Sequence, residues 1–130
     1  MRVRTGLVLL LCLLACGCGK KSTDDLITDL KSPDAQDRDR TIAVRTLPQR
    51  KGDTAKVVPA LIAALKDKDA GIRWDAAIGL GYFGDQARDA IPALQEATHD
   101  RDSRVREGAS VALSRIDPDK FPAPPISRAR

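Results

Sequence analysis

The stretch Val58 to Leu80, VPALIAALKDKDAGIRWDAAIGL, is written again 33 residues later as Ile91 to Leu113, IPALQEATHDRDSRVREGASVAL. Pro59 recurs as Pro92, Leu61 as Leu94, Asp67 as Asp100, Asp69 as Asp102, Arg73 as Arg106 and Leu80 as Leu113. A more worn copy comes earlier, where Arg40, Ala43 and Leu47 stand 33 residues before Arg73, Ala76 and Leu80. Leu26 and Leu30 match Leu61 and Leu65 only at an offset of 35, so the first unit carries about two extra residues in its internal turn. A fixed period of this length means stacked supersecondary units, none of which can bury its apolar face alone.

The spacing within each unit is helical. At 100° per residue, Ile72, Ala76, Leu80 and Phe83 fall on one side of a helix. Apolar content comes mostly from Ala, Leu, Ile and Val, with one Trp, one Tyr and two Phe in 130 residues. That suits helices packed through small side chains better than a sheet rich in aromatic residues. The reading is therefore all-α, with three helix pairs over about 22–52, 53–86 and 87–116.

Residues 1–15 read as an export signal. Arg2 and Arg4 precede an apolar run from Leu7 to Ala15, which as helix spans about 14 Å against a hydrocarbon core of roughly 30 Å. Leu13-Leu14-Ala15-Cys16 resembles the lipobox of bacterial lipoproteins, which implies cleavage before Cys16 and acylation of its thiol; an ordinary cleaved signal is the alternative. Residues 16–21 are then a short linker reaching about 17 Å from Gly17 to Lys21 when extended, which holds the domain near the membrane. Two or three acyl chains exceed what lasting attachment needs. The expected location is the cell envelope, on the periplasmic or extracellular side, with the outer membrane favoured in a diderm host because Gly17 is not aspartate.

Cys12, Cys16 and Cys18 are the only cysteines and all lie in this leader. Disulfides and Cys-based chemistry are thus excluded from the repeats, and no metal or other cofactor is expected. Without Arg2 and Arg4, 20 basic and 18 acidic residues remain, too even a balance to point to nucleic acid.

Local signals place the helix ends. Ser22 and Asp25 have the spacing of a capping box. Ser32-Pro33 reads as the start of a second helix, with Pro at its first position, running to about Leu47 before Pro48 and Gly52. Pro59 and Pro92 are expected to break or bend the first helices of units two and three. Gly84 reads as a left-handed C-cap. Residues 117–130 hold Pro118, Pro122, Pro124 and Pro125 and read as an extended or disordered tail, with Phe121 and Ile126 available to cover the open end of the stack.

The unit Pro-Ala-Leu-x₅-Asp-x-Asp-x₃-Arg-x₂-Ala-x₃-Leu resembles the HEAT repeat, and is most similar to the short HEAT-like form of phycobilin lyases and many bacterial proteins. The resemblance implies a right-handed α-solenoid whose second helices line a concave surface. Within it, Asp34 with Arg40, Asp67 or Asp69 with Arg73, and Asp100 or Asp102 with Arg106 would form a structural ladder tying one helix pair to the next. Trp74, Ile78 and Tyr82 recur at spacing four on the side opposite the core helix face, and the equivalent rows contribute Arg45, Val111 and Arg115. That stripe reads as a protein-binding surface; the alternative is that Ile78 packs between units and Trp74 covers a neighbouring helix. His99 is the sole histidine and reads as a solvated turn residue.

The expected function is a lipid-anchored, non-catalytic scaffold holding an unidentified protein partner on its concave face. The alternative is an accessory subunit or enzyme of the HEAT-like lyase type, acting on a bound cofactor or protein substrate. A purely structural envelope role, or a place in a larger assembly, is the third reading.

Overall fold

The computed structural model describes residues 20–33 and 35–123. Among them are six α-helices and no strand: α1 (Thr23–Lys31), α2 (Asp37–Thr46), α3 (Thr54–Ala64), α4 (Ala70–Tyr82), α5 (Ile91–Ala97) and α6 (Ser103–Ile116). They pair as α1/α2, α3/α4 and α5/α6, an all-α solenoid of helix pairs. Short 3₁₀ segments at Leu47–Gln49, Lys51–Asp53 and Gly84–Ala90 connect the pairs. Cys16, Asp34 and Ile126 lie outside the described residues.

The helix starts follow local chemistry. The Ser22 hydroxyl accepts the Asp25 N–H at 3.1 Å while the Asp25 carboxylate accepts the Ser22 N–H at 3.0 Å, so two orphan donors of α1 are satisfied reciprocally. Asp69 caps α4 by accepting the Ile72 N–H at 3.0 Å, and Asp102 caps α6 by accepting the Arg104 N–H at 2.9 Å. Gly84 follows α4 at φ 55°, the left-handed region that a side chain would strain.

Two expectations are corrected. The second helix does not begin at Ser32-Pro33; Ser32 is extended at ψ 122° and closes α1, and α2 starts at Asp37. A residue before proline is pushed out of the helical region, so the chain turns before it winds again. Nor does Pro59 break α3, which runs unbroken through it. Pro59 is exposed, and so is Ala55, whose carbonyl would have accepted the N–H that proline lacks. Val57 and Leu61, both fully buried, hold that turn from the other side. Pro92 sits instead in the first turn of α5, where its missing N–H costs nothing.

The core lies between the two layers of helices. Leu47, Leu61, Ile72, Leu80, Leu94 and Ile116 are its largest fully buried side chains, and Ala43, Ala76, Ala77, Ala87, Ala90 and Ala109 are completely covered around them. Full burial of each large aliphatic side chain contributes about 1.5–3 kcal/mol, nearly all of it from contact between helices. The second helices α2, α4 and α6 approach one another more closely than α1, α3 and α5 do. The second helices thus share one face of the stack, its inner face, along which they pack on one another. At the far end Asp117 to Phe121 turn back, the Phe121 N–H donating to the Asp117 carbonyl at 2.9 Å, and the Phe121 ring packs against the core.

Candidate functional site

Two sets of residues singled out by the repeat lie apart in the structure. The first is the Arg/Asp ladder. Arg73 is buried, and its Nε and Nη2 donate to the two oxygens of Asp100 at 2.8 and 2.9 Å. Its Nη1 donates to the carbonyls of Asp67 and Lys68 at 2.9 and 3.2 Å. Asp100 thereby stabilises Arg73 in its charged form and raises its pKa; in return the Arg73 hydrogen bond holds the Asp100 carboxyl below the ordinary carboxylate range. Arg40 makes the equivalent rung with Asp67, but its buried Nε has no partner.

Arg40 and Arg73 thus each reach the carboxylate of the following unit, 27 residues on. Within its own unit Arg40 also has Asp37 at 3.8 Å, while Arg73 meets only backbone carbonyls of its turn. Asp69 and Asp102 are helix caps, which corrects their assignment as rungs. Arg106 keeps the two carbonyl bonds, to Asp100 and Arg101 at 2.9 and 3.2 Å, and among the described residues meets no carboxylate. Within the ladder only the Arg73 guanidinium has all three of its nitrogens engaged.

The second set lines the inner face. Val44 and Arg45 of α2, Pro48, Gln49 and Lys51 after it, and Trp74, Asp75, Ile78, Gly79 and Tyr82 of α4 surround an open pocket of about 590 Å³. Helical spacing of four puts Trp74, Ile78 and Tyr82 in one row. Tyr82 is 63% exposed, while Trp74 and Ile78 are half-buried. A Cβ on Gly108 would come within 3.0 Å of Trp74 Cδ1 and 3.6 Å of Ile78 Cδ1, so these two side chains lean on α6 as well as facing the pocket. Trp74 thus covers a neighbouring helix with one part and is open to the pocket with the rest.

The pocket exists because its two sides are propped. Pro48 Cγ would lie 2.8 Å from a Cβ on Gly79, so the turn after α2 rests directly on α4. Nearer the other end, Arg45 Nε donates to the Asp75 carboxylate at 2.8 Å; Asp75 is buried and Arg45 exposed. The Arg115 guanidinium of α6 lies 5.7 Å from the centre of the Tyr82 ring, a cation–π arrangement. Val111, half-buried on α6, is not among the pocket-lining residues. Gln49, which stands 33 residues before Tyr82 in the same row, lines the pocket as well. Sequence reasoning missed Pro48, Lys51 and Asp75. Only the reversal of the chain between α2 and α3 brings the first two there, and one unit does not reveal how closely it meets the next.

His99 is exposed in the turn after α5, its Nδ1 3.1 Å from the Thr98 hydroxyl. Among the described residues no three His, Cys, Asp or Glu side chains are grouped to hold a metal ion, and no helix is long and apolar enough to cross a membrane.

A protein-family profile described as HEAT repeats matches residues 23–114. No curated protein matches the chain significantly.

Proposed function

The chain belongs to the HEAT-repeat family, and on that premise we propose that it is a non-catalytic scaffold whose inner groove holds a protein partner. The observation that carries this reading is the 590 Å³ pocket, with Trp74 and Ile78 as its apolar wall and Tyr82 exposed at its mouth. Large aromatic side chains on a rigid helix lose little conformational entropy on binding, and they are enriched at the energetic centres of protein interfaces. Arg45 and Arg115 add directional donors at its edges.

Anchoring belongs to the same proposal. Acylation at Cys16, seven residues before α1, would keep the repeats against the envelope membrane and present the groove to neighbours in that layer. Cys16→Ser should abolish labelling by an alkynyl fatty acid and release the protein from the membrane fraction; retained labelling would reject the anchor.

For the groove, Tyr82→Ala is the clean variant, since that side chain is exposed. Combined with Trp74→Phe, it should lower crosslinked capture of the partner from intact envelopes at least tenfold while the helical circular dichroism stays unchanged. Undiminished capture by a folded double variant would reject the groove as the binding surface.

A further inference from the structure

We propose that the segment occupying the groove is acidic: an apolar side chain seats on Trp74 and Ile78, and a neighbouring carboxylate sits at the Tyr82 end, within reach of Lys51 and Arg115. This rests on the reading that the inner face binds a protein, and adds the chemistry of what it binds.

The charges around the groove do not balance. Its lining holds one carboxylate, Asp75, which is buried and already committed to Arg45. Lys51 and Tyr82 both line the pocket, and Arg115 lies over the Tyr82 ring. Among the described residues, neither cation has an acidic partner. Arg115 lies in the last turn of α6 and Arg45 in the last turn of α2, while Lys51 follows α2 in the 3₁₀ turn Lys51–Asp53. The carbonyl ends of those helices favour positive charge there. The remaining carboxylate on the inner row, Glu107, lies eight residues before Arg115 on α6, about 12 Å away along the helix. Asp53 and Asp85, close in the chain to Lys51 and Tyr82, are not among the lining residues, so the lining itself carries Lys51 with no free carboxylate.

A floor of Val44, Pro48, Trp74 and Ile78 beside two unpaired cations sorts partners by charge. A carboxylate placed there gains charge-assisted hydrogen bonds next to a desolvated apolar contact. A lysine in the same place meets like charge, which acts against wrong partners and slows their approach.

Trp74 is the only tryptophan, so its emission reports on the site directly. The full chain in a nonionic detergent is titrated with a twelve-residue peptide carrying two leucines four apart, flanked by glutamates. A counterpart replaces the glutamates with lysines. The glutamate peptide should bind at least ten times more tightly at low salt, and most of the difference should vanish in about 0.5 M salt, where the screening length falls to a few ångströms. Lys51→Glu with Arg115→Glu should reverse the preference. Equal binding, tighter binding of the lysine peptide, no binding of either, or an unreversed preference in the double variant would each overturn the inference. A photocrosslinker in place of Tyr82 in intact cells separates the two levels. A protein crosslinked there by a chain indifferent to peptide charge removes only the acidic chemistry. No crosslink, together with no peptide binding, removes the interaction surface as well.

Discussion

The two seams that flank α4 are built from the same repeat and behave differently. Toward α6 the helices close on each other. A Cβ on Gly81 would stand 3.2 Å from Ala112 Cα, Gly108 receives the Trp74 ring, and Arg73 meets Asp100 with both oxygens engaged. Toward α2 the seam touches at Pro48 and at Arg45–Asp75 and stays open between them. Arg40, the rung on that side, leaves one buried nitrogen without a partner. The repeat thus sets where helices stand, while glycine or a bulky residue on the inner row decides whether the gap is core or groove. Close approach excludes water and leaves nothing to bind; a propped gap keeps apolar surface available.

Breaking the closed seam should have the largest effect. Arg73→Ala strands the half-buried Asp100 carboxylate and should cost about 3 kcal/mol in denaturant unfolding, the low end of the range for removing one partner of a buried pair. Arg40→Ala, on the open seam, should cost at least about 1 kcal/mol less, because its rung is already incomplete. Equal losses would mean the two seams are energetically alike.

Gly108→Val drives two methyl groups into the Trp74 ring and should destabilise by about 1–3 kcal/mol, as overpacking does. It should also shift Trp74 emission to the red as the ring is pushed outward. An unmoved emission maximum would show that the indole does not depend on that gap.

The pH response sharpens the same contrast. The Asp100 carboxyl is depressed by its Arg73 hydrogen bond. The stability from this rung is therefore present above the unfolded value of about 4. It is lost as pH falls from there through the lower folded value. Asp100→Asn should be less stable than the parent at pH 7, and the gap should narrow steadily below about pH 4. A gap independent of pH in that window would remove the ion pair from the account. The smallest effect belongs to Arg106→Ala, expected within about 0.5 kcal/mol because this exposed side chain has only carbonyl partners.

Much of the fold was legible because it is local or periodic. The offset of 33 residues counts the pairs, and the Ser22–Asp25 spacing and Gly84 mark ends through chemistry confined to a few residues. The ladder's direction was not legible. Asp67 and Asp69 lie close to Arg73 in the chain, and nothing local says that the guanidinium turns to Asp100 instead. Pro33 and Pro59 misled for a related reason. A proline's effect depends on whether its face is solvated and on what holds the opposite face, and both are properties of the packed stack.

The amino-acid order alone determined the all-helical units, their number and their inward faces, because helical period and capping act over a few residues at a time. Tertiary structure decided which carboxylate each arginine meets, that Trp74 is shared between a neighbour and open space, and that Lys51 and Asp75 join the groove. Those outcomes depend on the distance between helices from different units. That distance is set by the bulk of side chains meeting across a seam, a quantity that no single unit contains.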